Sequence, residues 1–366
     1  MRKQIFITLL TILFATGAMA QDDCFTYSEG GNTVITGLTE KGQAAKELTI
    51  PAQVTMVGDN AFYGNNKLTN LVIASGGDPL FETETTNALD AVKSTLSTIE
   101  IQGTAMTTDH IATMLSGRSS KGALETIEIR NNEFPLEGTF SWSNVSGVKV
   151  ILPAARVNKP NLQQFGDATV CGRFTLTKAV GTFCTLATFQ DNNDGGNFLF
   201  YVATEIANNQ LHMQRVRYVK SGQGIVMHYL TDASTTVFLP RVSEDSKTDA
   251  IYGQNMLKGQ TTAKAIEATD GTNTNLVLKD GAFHPTSGGT IPANRAYLQI
   301  PTSTWSTIST SGARMLMSFD DDETTGVESI NRETITNNQF FDLQGRKVAQ
   351  PTKGLYIVNG KKVVVR

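Results

Sequence analysis

Ala45-x-x-Leu48-x-Ile50, Leu68-x-x-Leu71-x-Ile73, Leu96-x-x-Ile99-x-Ile101 and Leu124-x-x-Ile127-x-Ile129 are four copies of one pattern, and a weaker fifth ends in Val150-Ile151-Leu152. Counted on the last apolar residue of each copy, the intervals are 23, 28, 28 and 23 residues. A fixed apolar pattern at a period of roughly 20–29 residues marks a stacked repeat. Each copy gives one short strand, the next copy lays its strand alongside, and the chain returns along the opposite side. Side chains of a strand alternate between faces, so Leu48, Ile50 and their equivalents point inward. No single copy can cover its apolar side, so burial comes from stacking at about 4.8 Å per step. The stretch predicts a parallel ladder between residues 48 and 152.

The alternate positions face outward, and a binding function would sit there. They are Thr49, then Asn70 and Val72, Thr98 and Glu100, Thr126 and Glu128, and Lys149 and Ile151. Glu100 and Glu128 are equivalent on adjacent strands, which puts their Cβ atoms roughly 5 Å apart and makes the pair mildly destabilising. Two readings stand. The row is a solvated face relieved by Lys149, or it is a patch that recognises a basic or hydroxyl-rich partner. The candidate partner-binding face is therefore Thr49, Asn70, Val72, Thr98, Glu100, Thr126, Glu128 and Lys149.

The best-formed copy reads Leu48-Thr49-Ile50-Pro51, then Val54, Val57-Gly58, Ala61-Phe62, Leu68, Leu71 and Ile73. This resembles the BspA-like leucine-rich repeat family of bacterial surface proteins, in which L-x-I-P is followed by V-x-x-[IV]-G-x-x-A-F and then L-x-x-[LV]-x-I. The match spans one full repeat. The two 28-residue units lack the Ala-Phe segment, and their return segments read as helical instead. Thr108-Asp109 reads as the cap of a helix carrying Ile111, Met114 and Leu115 and ending at Gly117, and residues 87–96 look similar. Leu152-Pro153 with Leu162 and Phe165 resembles the closing segment of such arrays. The resemblance implies a solenoid, and attachment to host or neighbouring-cell proteins.

Outside the repeats, the first twenty residues read as a secretory signal. Arg2 and Lys3 form the basic start, residues 5–14 the apolar run, and Ala18-Met19-Ala20 the small-x-small site with cleavage after Ala20. The apolar run is too short for a transmembrane helix, for which roughly 20 residues are needed. No other stretch qualifies as one. The protein is expected at the cell surface or outside the cell, with the periplasm as the alternative. The 366 residues carry 31 basic and 34 acidic side chains with no basic cluster, which argues against a nucleic-acid partner. Three cysteines, Cys24, Cys171 and Cys184, forbid full pairing. A Cys171–Cys184 bridge is geometrically open in an oxidising compartment, and small buried thiols are the other reading.

Past residue 170 the period changes. Short runs rich in β-branched and aromatic residues alternate with turn residues at 182–189, 197–203, 211–219, 224–229, 235–239, 275–279, 295–300 and 314–319. Eight or so strands without a clear helix predict an antiparallel sandwich or barrel over residues 171–320. The phrases at 181–189, 222–226 and 291–298 resemble a β module that recurs beside such repeats in secreted bacterial proteins. Residues 321–337 read as a linker. In 338–366, Asn359-Gly360 is the preferred two-residue hairpin turn. There D-L-x-G-R-x-V, K-G-L-Y-I-V and K-V-V-V resemble the end of type IX secretion sorting domains, without their usual opening segment. That resemblance implies a sorting or anchoring tail; a plain capping hairpin is the alternative.

The chemistry-bearing residues form no motif. His110, His212, His228 and His284 lack metal-ligand spacing, and no G-x-S-x-G or phosphate loop occurs. Asp191-Asn192-Asn193-Asp194-Gly195-Gly196 has Gly where a calcium loop needs its fifth-position ligand, and an apolar Val202 at the twelfth. It reads as a hairpin turn. Trp142 and Trp305, each isolated, read as packing residues rather than sugar platforms. The expectation is a mainly β, non-catalytic and cofactor-free chain. A short leucine-rich repeat solenoid at 21–170 is joined to an antiparallel β domain and a small C-terminal β region. It binds a protein or glycan through the ladder, or serves as a structural envelope protein with no dedicated ligand.

Overall fold

The computed structural model describes residues 22–82, 87–116, 118–136, 142–159, 162, 165–176, 179–191, 198–229, 235–242, 254–308, 314–319, 328–330, 340–342, 347–348, 354–358 and 361–365. The expected signal segment and the expected turns at 192–196 and 359–360 lie outside them, as does most of the expected linker at 321–337. The protein is mainly β, with several separate sheets. It divides into two compact units. Unit 1 comprises Met1–Thr175 with Thr236–Arg241, and unit 2 comprises Leu176–Thr235 with Val242–Arg366.

Unit 1 contains β1 (Phe25–Tyr27), β2 (Val34–Leu38), β3 (Glu47–Ile50), β4 (Met56–Val57), β5 (Asn70–Ile73), β6 (Leu80–Phe81), β7 (Thr98–Ile101), β8 (Thr126–Ile129), β9 (Lys149–Pro153) and β10 (Thr169–Leu176). Strands β3, β5, β7, β8, β9 and β10 pair in parallel as consecutive rungs of one sheet. Ile50 sits opposite Ile73, Ile73 opposite Ile101, and Ile101 opposite Ile129. The residues that recur in sequence are therefore the residues in register. Leu48, Ile50, Leu71, Ile73, Ile99, Ile101, Ile127, Ile129 and Val150 are all fully buried. Each such side chain contributes about 1.5–3 kcal/mol on leaving water. A slip of one residue would turn the whole set outward, which pins the register.

The return side differs along the array. Between the early rungs, β2, β4 and β6 form a second parallel ladder, with β1 antiparallel to β2. The later connections carry a 3-10 turn at Ala88–Val92, capped by Asn87, and a helix after the short α1 (Glu40–Ala44), namely α2 (Thr108–Leu115). The cap of α2 is Thr107, whose hydroxyl accepts from His110 N, one residue before the expected Thr108. Trp142 is buried, edge-on to Phe165 with ring centroids 4.8 Å apart, and its indole N–H donates to Thr108 O. It is a packing residue.

Buried asparagines stitch neighbouring connecting segments. Asn65 Nδ2 donates to Gly42 O and Ala45 O, while its Oδ1 accepts from Lys67 N and Leu68 N. Asn87 Nδ2 donates likewise to Met114 O and Ser116 O. Removing Asn65 strands four backbone groups in a buried site. Asn65→Ala is expected to cost about 2–3 kcal/mol, read as a shift in urea midpoint at unchanged slope, with the exposed Asn66→Ala near zero.

Beyond β10 the ladder gains one more strand from far along the chain, Thr235–Pro240. Its neighbour Arg241 donates N–H to Val170 O and guanidinium hydrogen bonds to Val157 O and Lys159 O. Val157 ends α3 (Ala154–Val157). A run expected in the middle domain thus belongs with the parallel ladder of unit 1, because β10 offers an open edge that needs a partner.

The strand Thr235–Pro240 just described is β17, and it belongs with the unit 1 ladder. Unit 2 contains β11 (Val180–Phe183), β12 (Phe189–Gln190), β13 (Phe198–Ala207), β14 (Gln210–Val216), β15 (Tyr218–Val219), β16 (Ile225–Tyr229), β18 (Leu257–Gln260), β19 (Lys264–Ile266), β20 (Asn273–Lys279), β21 (Ala282–Pro285), β22 (Gly289–Ile291), β23 (Arg295–Pro301), α4 (Thr302–Ile308) and β24 (Leu316–Phe319). One sheet runs β11-β16-β13-β14-β24 and another β18-β23-β20-β21. Tyr201, Ala203, Leu211, Met213 and Val226 of the first meet Leu257, Leu276, Phe283, Leu298 and Ile300 of the second in one apolar cluster. Most pairings are antiparallel, but β14 and β24 run parallel. The run at 182–189 breaks after Phe183, and α4, which sequence patterning missed, carries Trp305 against the cluster.

The C-terminal sheet contains β25 (Glu328–Ile330), β26 (Phe340–Phe341), β27 (Lys347–Val348), β28 (Gly354–Val358) and β29 (Lys361–Val365), in the order β25-β29-β28-β26-β27. β25 pairs in parallel with β29, so part of the expected linker is strand. β28 and β29 form the expected antiparallel pair, with Val358 opposite Lys361. Among the described residues no helix is long and apolar enough to cross a membrane.

Candidate functional site

The outward side of the ladder carries two rows set by the register. One row is Glu47, Asn70, Thr98, Thr126, Lys149 and Thr169; the other is Thr49, Val72, Glu100, Glu128, Ile151 and Cys171. The first row is accessible: Glu47, Lys149 and Thr169 are exposed, and Asn70, Thr98 and Thr126 half-buried. Asn70 Nδ2 donates to Glu47 Oε2 at 2.9 Å. The second row is closed. Thr49, Val72, Glu100, Ile151 and Cys171 are buried, and Glu128 is nearly so. This corrects the expectation of a solvated acidic face.

The Glu100–Glu128 pair is held by arginines, not by Lys149. Arg130 Nη2 lies 2.8 Å from Glu100 Oε2, and its Nε lies 3.4 Å from Glu128 Oε1. Arg173 Nη1 lies 2.7 Å from Glu128 Oε1, and its Nη2 donates to Arg130 O. Gln102 Nε2 donates to Glu100 Oε1 at 2.8 Å. Arg130 Nη2 also reaches Glu128 Oε2 at 3.4 Å. All four carboxylate oxygens therefore carry donors. The two acids act as acceptors within a guanidinium network, an arrangement that stabilises like charges on adjacent rungs.

Sequence reasoning missed Gln102, Arg130 and Arg173, although two were within reach. Thr98-Ile99-Glu100-Ile101-Gln102 and Thr126-Ile127-Glu128-Ile129-Arg130 are aligned repeats, and a period of two places Gln102 and Arg130 on the glutamate face. Arg173 lies 45 residues from Glu128 in sequence. No local pattern links them.

The remaining reactive groups are dispersed. Among the described residues no three His, Cys, Asp or Glu side chains form a metal-holding group. His110 Nδ1 pairs with Asp78 Oδ1 at 2.5 Å, and the His228 ring stacks on Phe319 at 4.5 Å. His212 lies in β14 and His284 in β21, in different sheets.

The phrases at 181–189, 222–226 and 291–298 do converge, as a packing knot. Cys184 N donates to Asn294 O, Ala296 N to Thr182 Oγ1, Arg295 Nη1 to Thr182 O, and Gly222 N to Thr185 O. Asn294 takes a positive φ of 60° there. Of the polar side chains in these phrases, the Thr188 hydroxyl is buried without a hydrogen-bond partner.

The Cys171–Cys184 bridge is not formed. All three cysteines are free and buried, and Cys171 belongs to unit 1 while Cys184 belongs to unit 2. Burial pushes the Cys171 and Cys184 thiols up to about 11, and burial together with Asp23 raises Cys24. A thiol raised in this way is a poor nucleophile at neutral pH. The folded chain at pH 8 is expected to be nearly inert to a thiol reagent, and the denatured chain to give three thiols. Because these pKa values rise on folding, the unfolded chain loses its protons first. Their contribution to stability is complete below about pH 8.5 and falls as pH climbs toward 11. A single thiol after denaturation would refute the free-thiol assignment.

No family model, no curated protein and no solved structure matches this chain.

Proposed function

We propose that this chain is an exported, non-catalytic binding protein of the cell surface, built on a short leucine-rich repeat solenoid of BspA-like type. It meets a protein or glycan through the accessible row of its ladder, as an adhesin does. One observation supports this above all. Thr98 and Thr126 carry half-buried hydroxyls at a fixed rung spacing, between the hydrogen-bonded Glu47–Asn70 pair and the exposed Lys149. Such a face offers hydrogen bonds in a rigid array, while the neighbouring carboxylates are occupied by arginines. A rigid array loses little entropy on binding, which is how repeat surfaces gain affinity.

The test is adhesion of beads coated with the full chain to arrayed glycans and extracellular-matrix proteins. Thr98→Arg with Thr126→Arg is expected to reduce retention at least tenfold while the melting temperature moves by no more than a few degrees. Equal retention would clear the row of any role. The surface location has its own test, protease shaving of intact cells with the full chain and a version ending before Asn338. Cleavage of the full chain alone supports a sorting role for the tail.

The second reading is a structural envelope protein without a dedicated ligand. The burial of Val72 and Ile151 on the outward side favours it. Protection of both versions from shaving would make it the better account.

A further inference from the structure

The edge of β10 is filled by a segment that visits unit 1 for six residues only, Thr236–Arg241, while the chain on either side of it belongs to unit 2. At Val242 the backbone N–H already donates to Thr188 O of that second unit. The short visit is nevertheless well seated. Val237 and Leu239 are buried at 5% and 0% exposure, and the alternating Thr236 and Phe238 are exposed. Arg241 N–H donates to Val170 O at 2.8 Å, and its guanidinium donates to Val157 O at 2.7 Å and to Lys159 O. Backbone pairing holds the segment, and two apolar side chains with the arginine select it. That is how a sheet edge takes an extended peptide, here of pattern Val-x-Leu-x-Arg. The pattern occurs once in the chain. The far side of β17 is blunted. Because Arg241 N–H points at β10, the preceding Pro240 stands where an N–H would point away, and proline has none. A further strand is therefore poorly received there, and the ladder ends with β17.

We infer that the β10 edge accepts this strand in trans as well as in cis, and that its partner is a second copy of the chain. Two copies exchange Thr236–Arg241 reciprocally and form a closed dimer. An identical segment replaces the original, so every contact of the seat is kept on exchange, and chain concentration shifts the balance toward the pair. Pro240 stops growth at two copies, since each ladder still ends in a strand that does not take another. The accessible row of Thr98 and Thr126 plays no part, and the inference stands or falls apart from the binding reading.

The test uses the full chain and a fluorescent synthetic peptide of residues 234–243. Size-exclusion chromatography with light scattering is expected to show a dimer whose share rises with concentration. Excess peptide should convert it to monomer by capping β10, and the same peptide with Leu239→Asp should leave it intact. A chain that is monomeric at every concentration overturns the inference, as does a dimer that excess peptide leaves unchanged or that both peptides dissolve alike. In the full chain, Leu239→Asp disables the competitor in cis. That variant is expected to bind the unsubstituted peptide about tenfold more tightly than the unsubstituted chain does. Should it fail to fold, Arg241→Ala, which keeps both apolar side chains, is measured in its place. Absence of saturable peptide binding to the folded variant overturns the acceptor site.

Discussion

Glu100→Lys combined with Glu128→Lys is expected to unfold unit 1 at temperatures where the unsubstituted protein is native. Both side chains are largely buried, at 9% and 12% exposure, and both face guanidinium groups. Breaking a buried pair by removing one partner costs about 3–5 kcal/mol, since the other charge is left without compensation. Here the two lysines would add like charge beside Arg130 and Arg173, so the loss should reach at least the upper end of that range. For a unit of this size each kcal/mol moves the midpoint by about 2–4 °C, which puts the fall at 10 °C or more. Adding Arg130→Glu and Arg173→Glu restores alternating charge and should recover half of the loss or better, by the logic of a double-mutant cycle. A fall below about 2 °C, or no recovery on swapping, would show that the network contributes nothing. The result also bears on how binding is probed. Charge reversal at these glutamates cannot separate lost recognition from lost structure, whereas substitution at the half-buried Thr98 and Thr126 can.

Gly259→Ala is expected to be the most damaging single methyl addition in unit 2. A Cβ there would lie 2.6 Å from Cys184 Sγ, 2.6 Å from Gly222 O and 2.8 Å from Gly224 N. Two of those atoms are backbone, and the third belongs to a fully buried thiol, so no flexible side chain can swing aside. Overpacking of this kind typically costs 1–3 kcal/mol, and more where the backbone must move; about 3 kcal/mol is expected here. Gly181→Ala makes the matched control, because its added methyl would meet nothing within 4 Å. Chemical denaturation followed by near-ultraviolet dichroism would report both. A cost below about 1 kcal/mol for Gly259→Ala would mean that the close approach of these segments is not a real constraint. Shortening Cys184 to Ala in the same chain should relieve only part of the damage, since the carbonyl of Gly222 and the amide of Gly224 remain.

The two sites illustrate different degrees of legibility. The ladder's register followed from spacing, since a residue that must be buried once per rung has one place to go. Gln102 and Arg130 were readable in principle from the same alignment, because a strand's period of two carries a face past the last apolar residue. The knot in unit 2 was visible only as three phrases of unknown purpose. Its reason is close backbone approach, which glycine permits and which no periodicity announces. The break after Phe183 and the helix α4 escaped for a related cause: short elements are set by what they pack against more than by their own residues.

What the sequence determined by itself was local and periodic. It specified which side chains face inward, the order of the rungs and the strand-rich character of everything after them, because burial and alternation act within a few residues of each position. Tertiary structure decided what depends on distant segments meeting. It brought Arg173 to Glu128, closed the acidic row, and kept Cys171 and Cys184 as separate buried thiols. It also drew Thr235–Pro240 back to β10, where an unpaired edge demanded hydrogen bonds that nothing nearby in the chain could supply.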